Sequence, residues 1–293
     1  MKDLYDTSGI SKQSFHQLMD RRYARLEEQM QLLPILKQLR ENHPSMSSRV
    51  FYIKLKPKTM GRDLFEAFCF EHGYKVDIRT RSYRTTNSTG VNRFPNLQLE
   101  TDELTDTNQL WVSDITYFDL GDQVVYITLI LDIYNRELVG HALSQHLDTE
   151  STTLVALQMA IRNRKLPKES RLILHSDGGG QYYSKLFLLL TKAYGIRNSM
   201  GKTAYENPHA ERINGTIKNQ YLKPWHPLSY QELGQMLIKA VYLYNNERPH
   251  QSLAGYTPVE FKQLKDDGLL TKVWVINKKK KVTKKEKVNI NII

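Results

Sequence analysis

The chain has 293 residues, a formal net charge of +11 at pH 7 and a single cysteine. This length allows one large domain or two to three smaller ones with a buried core. A single cysteine excludes an internal disulfide and a zinc site built on a cysteine pair, and we expect Cys69 to be a buried structural thiol. No apolar run approaches the ~18 residues that a membrane-spanning helix needs, and the N-terminus has no signal-peptide stretch, so the sequence predicts a cytosolic protein without a membrane segment.

Residues 1–43 have the spacing of a helical region. Ser11 is a suitable cap for the first helix, and Pro34 is predicted to start a second, short helix as a first-turn proline. The apolar residues recur close to the helical period: they are Phe15, Leu18, Met19, Tyr23, Leu26, Met30 and Leu33. The segment SGISKQSFHQ is compatible with a recognition helix, and equally with a helix used for packing or dimerisation.

Residues 44–75 predict a second helical pair. Thr59 is expected to cap a helix that buries Leu64, Phe65 and Phe68 and that ends at Gly73. Several basic residues cluster at its start, where positive charge opposes the helix dipole: they are Lys54, Lys56, Lys58 and Arg62. Phosphate contact is the functional interpretation, with Lys58 and Arg62 as DNA-binding candidates, and a solvated loop is the alternative.

Residues 76–108 form a polar, basic segment that we interpret as a linker able to follow a nucleic-acid backbone. Residues 264–293 form a basic C-terminal tail, and its block KKKKVTKKEK is of a type that is usually disordered. The net charge of +11 favours a polyanionic partner, although a merely basic protein would show the same balance.

Residues 109–263 alternate strand and helix patterns, which predicts an α/β domain. The strands are expected at LWVSDITYF, VVYITLILDIY, RELVGHALSQ, RLILHSD and near Arg197–Ser199, with a turn at Gly121–Asp122 between the first two. The helices are expected at STTLVALQMAIRN, at KLFLLLTKAYG, from about 208 and from 229 to 246.

Three carboxylates in this domain occupy unusual positions. Asp114 lies inside a strand, where aspartate is disfavoured, and Asp177 ends a strand directly before three glycines that allow backbone to approach a ligand. Glu211 lies just inside a helix with Asn207 as its cap and Pro208 as its first residue. Each acid alone is compatible with a structural role. Together they suit a pair of Mg²⁺ or Mn²⁺ ions, which can promote phosphoryl transfer without a side-chain nucleophile.

Five ordered motifs give the domain a specific resemblance: WVSDITYF, LILDIYNRELVGHAL, HSDGGGQYYS, YENPHAERINGTIK and YNNERPHQSLAGYTPVEF. They resemble the catalytic domain of insertion-sequence transposases of the OrfB type, in the retroviral-integrase superfamily. The resemblance implies a ribonuclease H-like α/β fold, in which helices flank a mixed five-stranded sheet. It also implies a DDE polynucleotidyl transferase that cleaves and joins DNA strands with Mg²⁺ or Mn²⁺.

The catalytic triad implied by the resemblance is Asp114, Asp177 and Glu211, which would also be the metal ligands. The spacing departs slightly from the family, because 211 − 177 = 34 leaves 33 residues between the last two acids, somewhat fewer than usual. Glu206 is the rival third ligand, but it precedes the helix cap, where its direction is less fixed, so we favour Glu211.

The DNA-binding candidates beside the triad are Lys218, Arg212 and Gln181. Lys218 follows Glu211 by seven residues, which places both on one helix face. The resemblance implies a DNA contact there, and a solvated lysine is the alternative. Tyr182 is a further candidate.

Other recurrent motif positions have structural interpretations. We expect Arg248 and His250 to close the core, Asp132 to fix the turn after its strand, and His175 to be a packed strand residue rather than a metal ligand.

The segment RVFYIKLKPKTMGRDLFEAFCFEHGY resembles the helix-turn-helix region that precedes the catalytic domain in this family. Its implied role is to hold the terminal inverted repeats. The implied partners are transposon ends and target DNA, together with further copies of the chain on that DNA. A protein from an upstream reading frame is a further candidate partner. The implied location is the bacterial cytoplasm, at the nucleoid. The alternatives are a catalytically inactive, transposase-derived DNA-binding protein and a nuclease of the same fold.

Overall fold

The computed structural model describes residue 9 and residues 11–76, 93–201 and 206–275. The chain divides into two compact units, residues 1–79 and residues 80–293. Within the described residues, no helix combines the length and the apolar character needed to cross a membrane.

The first helix among the described residues of the first unit is the long α1 (Lys12–Asn42). As predicted, the Ser11 hydroxyl caps it by accepting a hydrogen bond from the Ser14 backbone N–H at 3.1 Å. The prediction that Pro34 starts a second helix is wrong, because Pro34 lies inside α1. A proline inside a helix removes one backbone hydrogen bond. Burial of the flanking Leu32 and Leu36 in the core of the unit offsets that loss.

Two shorter helices complete this unit, α2 (Ser48–Leu55) and α3 (Arg62–Glu71). Its core is formed with the second half of α1 and contains these fully or almost fully buried residues: Leu36, Met46, Phe51, Met60, Phe65, Phe68 and Cys69. The predicted burial of the Cys69 thiol is confirmed, and burial raises the pKa of that thiol to about 11. The predicted N-terminal helical region is therefore confirmed.

The predicted start of α3 is corrected by the structure. Gly61, rather than Thr59, is the N-cap residue, since Thr59 donates its backbone N–H to the carboxylate of Glu28 on α1 at 2.9 Å. Leu64 is 40% exposed, so only Phe65 and Phe68 of the predicted trio are buried. The predicted end is confirmed: Gly73 follows the helix with φ +79°.

The apolar residues in the first half of α1 do not enter a core. Five of the predicted positions are exposed: Phe15, Leu18, Tyr23, Leu26 and Met30. The helical period was read correctly, but period alone does not tell whether a partner element of the same chain covers the apolar face.

The second unit is organised around a five-stranded sheet, with a separate two-stranded ribbon. The strands are β1 (Glu103–Leu104), β2 (Leu110–Asp119), β3 (Val124–Asp132), β4 (Leu138–Ser144), β5 (Ile173–Ser176), β6 (Arg197–Met200) and β7 (Trp274–Val275). The sheet order is β4-β3-β2-β5-β6, and β1 pairs with β7. Strand β2 runs antiparallel to β3 and parallel to β5, and β5 runs parallel to β6. The predicted mixed five-stranded sheet is confirmed.

Helices cover both faces of this sheet. They are α4 (Thr153–Arg164), α5 (Lys185–Ala193), α6 (Pro208–Ile217), α7 (Lys223–Trp225), α8 (Tyr230–Asn246) and α9 (Pro258–Asp266), with a π-helical turn at Lys218–Leu222 that joins α6 to α7. Successive residues of a strand point to opposite faces. Accordingly, Trp111 packs in the core under α4 and α5, whereas Leu110 and Val112 pack in the core under α6 and α8.

Close packing between the sheet and α4 depends on a glycine. A Cβ at Gly140 of β4 would overlap the carbonyl oxygen of Ala156 and would lie 2.9 Å from the Ala160 Cβ. The glycine lets α4 lie directly on the strand.

Of the predicted linker, residues 93–108 are described, and they include a 3₁₀ turn at Leu97–Leu99 and the short strand β1. The basic stretch 79–90 of that linker and the lysine-rich block of the tail lie outside the described residues.

Candidate active site

Asp114 lies in the middle of the central strand β2, opposite Leu129 of β3. Two donors hold its carboxylate. The Ile115 backbone N–H binds Oδ1 at 2.9 Å, and the Asn214 side-chain amide on α6 binds Oδ2 at 2.9 Å. The second bond joins the strand to the helix that carries Glu211.

Asp177 directly follows β5, the parallel neighbour of β2. Its Oδ1 accepts a hydrogen bond from the Gly179 backbone N–H at 3.1 Å. A Cβ at Gly179 would lie only 3.1 Å from that oxygen, whereas a Cβ at Gly178 would meet only ordinary contact. Of the predicted glycine run, Gly179 is therefore the position where a side chain would press on the Asp177 carboxylate.

Glu211 lies in the first turn of α6, which begins at Pro208 after the N-cap Asn207, as the sequence predicts. The side chain of Asn207 does not cap the helix. It donates instead to the Ser113 carbonyl oxygen at 3.0 Å and so fastens the start of α6 beside Asp114 on β2. The Glu211 side chain is exposed.

The three acids share one electrostatic environment. The pKa of Asp114 is raised to about 7 by burial, by the charge of Asp177 and, to a smaller extent, by the charge of Glu211, against the lowering effect of the two hydrogen bonds. Burial also raises the pKa of Asp177. Negative groups that are crowded in this way without a neutralising partner favour either a proton or a cation.

The donor set fits a divalent metal, because it consists of hard carboxylate oxygens from three elements: the middle of β2, the residue after β5 and the first turn of α6. Within the described residues, no group of three or more His, Cys, Asp or Glu side chains is already arranged to hold a metal ion. The acids converge electrostatically, but they do not form a preassembled cage.

Glu206, the rival third acid, has a different environment. Its Oε2 accepts a hydrogen bond from the Asn96 side-chain amide at 2.6 Å. The charge of Glu211, rather than that of Glu206, is the third influence raising the pKa of Asp114. Both observations favour Glu211.

Lys218 lies close to the acids, at the start of the π-helical turn rather than on a regular continuation of α6. Its Nζ donates to the Tyr117 carbonyl oxygen at 2.9 Å and to Thr116 Oγ1 at 3.3 Å, both on β2. Burial and the charge of Lys223 lower its pKa, while the charge of Asp114 raises it. The ammonium is therefore held at the strand, within the field of Asp114.

Gln181 and Tyr182 lie in the 3₁₀ turn after Asp177. Gln181 donates its side-chain amide to the Leu147 carbonyl oxygen at 3.0 Å, which ties the turn to the loop before α4. The suggestion that Tyr182 contacts DNA is wrong, because Tyr182 is 2% exposed and shares a 2.9 Å hydrogen bond with Ser113 in the core. An aromatic residue in a glycine-rich turn gives no sign of which way its ring points.

Arg212 follows Glu211 and is exposed. Arg248 and His250 lie after α8, where the His250 ring packs edge-on against Tyr244 with centroids 4.8 Å apart, and Arg248 lies beside Tyr221. These contacts support the structural role expected for Arg248 and His250.

Asp132 fixes the turn after β3, as predicted. It is fully buried, its Oδ1 accepts from the Tyr134 backbone N–H at 3.0 Å, and its Oδ2 accepts from the Asn108 backbone N–H at 2.8 Å. His175 is a packed strand residue, also as predicted, with Nδ1 2.9 Å from Ser199 Oγ.

The remaining candidates, Lys58 and Arg62, belong to the first unit. Both are exposed, and the Arg62 guanidinium pairs with Asp63 at 2.8 Å. The Lys58 backbone N–H donates to Glu28 at 2.6 Å, so its side chain remains at the surface.

Sequence reasoning missed two positioning residues, Asn214 and Asn207. The spacing contained a signal for Asn214, since a residue three positions after Glu211 shares its helix face. For Asn207 the sequence indicated the cap position but not its partner on β2.

Comparison with known proteins identifies relatives of this unit. Two models of the family described as "Integrase core domain" match residues 105–205 and 194–258. An insertion element IS600 31 kDa protein of Shigella sonnei is 31% identical over 188 residues, which is 62% of this chain and 68% of that protein. The putative transposase InsK of IS150 from Escherichia coli is 27% identical over 64% of this chain and 66% of its own length. The transposase InsF of IS3A from Escherichia coli is 29% identical over 53% and 54%. In the last two, the match spans less than two thirds of the relative.

Similar solved structures are catalytic cores of retroviral integrases. The HTLV-2 integrase core in complex with magnesium has a TM-score of 0.43 and 22% identity, covering 53% of this chain and 96% of that one. The BIV integrase core has a TM-score of 0.42 and 20% identity, covering 55% and 97%.

Two integrase core matches and a relative with 31% identity over 68% of its length agree with the motifs of the second unit. The chain belongs to the insertion-sequence transposases of the DDE integrase superfamily, which are polynucleotidyl transferases that act in DNA integration and recombination.

Proposed function

We propose that this chain cleaves and joins DNA strands at the ends of an insertion sequence, with Asp114, Asp177 and Glu211 as its metal-binding carboxylates. The observation that carries the proposal is the convergence of these acids on a buried carboxylate: burial first, and then the charges of Asp177 and Glu211, raise the pKa of Asp114 to about 7. The pKa of Asp114 stays raised in spite of the nearby Lys218 ammonium, so the cluster destabilises the metal-free protein, and a cation that neutralises it best explains its presence.

The proposed cofactor is Mg²⁺ or Mn²⁺. Bound to these carboxylates, such ions supply positive charge at the attacking and leaving oxygens of an in-line phosphoryl displacement. The protein supplies no side-chain nucleophile, since water or a DNA 3′-hydroxyl attacks the phosphorus.

The protein's own contribution to the reaction is positioning. The Gly179 N–H and the Asn214 amide orient the carboxylates of Asp177 and Asp114, and they need not reorganise during the reaction. Lys218 holds positive charge near Asp114, where a DNA phosphate would approach.

The proposed partners are transposon ends and target DNA in the bacterial cytoplasm, with association to the nucleoid. Lys58 and Arg62 of the first unit, together with Lys218, Arg212 and Gln181, are the proposed DNA contacts, and the first unit would grip the terminal repeats. Joining requires two DNA ends to be held together, so we propose a homo-oligomer on DNA, with a protein from an upstream reading frame as a further partner.

The test uses purified full-length protein, labelled DNA carrying the element's ends, and Mg²⁺. Asp177→Asn removes one ligand, and Asp122→Asn is the matched control because Asp122 is an exposed aspartate in the turn after β2. We expect cleavage and joining by the wild type and by Asp122→Asn. We expect loss of most of the rate by Asp177→Asn with DNA affinity retained.

Two results would contradict the proposal. Binding without cleavage by the wild type would identify an inactive DNA-binding copy. Cleavage that never leads to joining would identify a nuclease.

A further inference from the structure

Three arginines from separate elements surround the end of α8 in the second unit. We call Arg136, Arg212 and Arg248 the arginine cluster. Arg136 lies in the turn between β3 and β4, Arg212 lies on α6, and Arg248 follows α8. Their charges converge on the buried ring of Tyr244, whose pKa is affected by all three.

The cluster has no internal counter-ion. Within residues 93–201 and 206–275, none of the three guanidinium groups forms an ion pair with a carboxylate. Arg136 contacts His209 Nδ1 at 3.0 Å, and Arg248 keeps a buried Nη1 without a hydrogen-bond partner in this part of the chain. Buried or half-buried positive groups are costly when nothing neutralises them.

The start of α6 increases the positive potential at the same place. The Asn207 side chain is turned to Ser113, so it leaves the first amides of α6 without a side-chain cap. The N-terminal end of a helix carries partial positive charge and binds anions through such amides. Arg212 lies in these first turns, where its positive charge opposes the dipole.

We propose that Arg136 and Arg212, with the start of α6, bind a phosphodiester of the DNA substrate next to the triad. Arg248, whose Nη1 is buried, adds to the positive potential. Arg212 follows Glu211 on α6, so the proposed phosphate site lies at the same end of this helix as the third acid. This site rests on the proposed function and extends it, because it assigns a DNA-positioning role to Arg136, for which the sequence gave no functional interpretation.

The test measures binding of the full-length protein to two unrelated labelled duplexes, in EDTA, over a series of salt concentrations. The variants are Arg212→Gln, Arg136→Gln and the conservative Arg212→Lys. Arg162→Gln is the matched control, because Arg162 is an exposed arginine on α4, which packs on the other face of the sheet. Folding of each variant is checked by its thermal melt.

We expect both glutamine variants to weaken binding several-fold and equally for the two sequences. We also expect the slope of log affinity against log salt to fall by about 1, as for one lost phosphate contact. Arg212→Lys keeps most of the slope, and Arg162→Gln changes nothing. If Arg136→Gln does not fold, DNA binding by Arg212→Gln tests the proposal by itself, because Arg212 is exposed.

An unchanged slope and affinity in folded Arg212→Gln would overturn the proposal. A second result would also overturn it: inorganic phosphate stabilises the wild type, but the variants bind DNA as tightly as the wild type does. The site would then bind a free anion and not the DNA. Because metal is absent from this assay, a catalytically inactive wild type would contradict the proposed function and leave this result intact.

Discussion

Replacing Asp114 with asparagine should stabilise the metal-free protein and abolish its activity. A carboxyl group whose pKa is raised in the folded state holds its proton more tightly there than in the unfolded chain. Stability therefore falls as the pH rises from the unfolded pKa to the folded pKa. Here the pKa rises from 3.8 to about 7. Asparagine cannot ionise, so the Asp114→Asn variant does not lose stability in this way as the pH rises.

The size of the effect follows from the shift. A difference of 3.2 pKa units, from 7 − 3.8, corresponds to about 4 kcal/mol at pH 8. At pH 5 the same shift corresponds to about 2 kcal/mol. These are upper limits, because part of the Asp114 side chain reaches solvent. The Asn214 amide can rotate to offer its oxygen, which is otherwise unpartnered, to the new side chain.

The assay is denaturant unfolding in EDTA at pH 5 and pH 8, followed by tryptophan fluorescence. All three tryptophans, Trp111, Trp225 and Trp274, belong to the second unit, so the signal reports on the unit that carries the site. Asp122→Asn serves as the exposed control. An equal stabilisation by Asp114→Asn at the two pH values, or a destabilisation at pH 8, would contradict the claim that the ionised Asp114 destabilises the metal-free protein.

Three further predictions concern packing and positioning. Gly140→Ala should lower the free energy of unfolding by about 3 kcal/mol or more in the same assay, because its Cβ would overlap the Ala156 carbonyl oxygen. Gly234→Ala inside α8, where a Cβ would lie 3.6 Å from Leu143 Cδ2, should instead raise the free energy of unfolding by about 0.5–1 kcal/mol. Equal effects of the two substitutions would contradict the close packing at Gly140. Gly179→Ala should slow DNA cleavage by roughly tenfold or more with little change in stability, since its Cβ would press on the Asp177 carboxylate. A wild-type cleavage rate would count against this contact between the Cβ and the carboxylate. Asn214→Ala should lower the free energy of unfolding by about 1 kcal/mol at pH 8 and slow cleavage, whereas Asn219→Ala, at an exposed position, should do neither.

Much of the second unit could be predicted because its local signals agree with its fold. The continuous apolar run of β3 indicated a central strand, and Gly121 indicated the turn before it. The Asn207-Pro208 pair indicated where α6 starts. The positions of Asp114, Asp177 and Glu211 followed from the motifs, since a resemblance transfers residue positions directly.

The errors share a physical cause, which is that contacts distant in sequence decided the outcome. Pro34 stays inside α1 because the neighbouring leucines are buried by other helices. Thr59 is drawn from the cap of α3 by Glu28, which lies far back in the chain. The same holds for Tyr182, whose ring is buried because Ser113 and Phe187 surround it.

The most direct measurement is the anomalous diffraction of Mn²⁺ in crystals of the protein bound to DNA ends. We expect manganese about 2.1 Å from carboxylate oxygens of both Asp114 and Asp177, with Glu211 drawn into the same site. Manganese bound elsewhere, with these three carboxylates left free beside the DNA, would contradict this expectation.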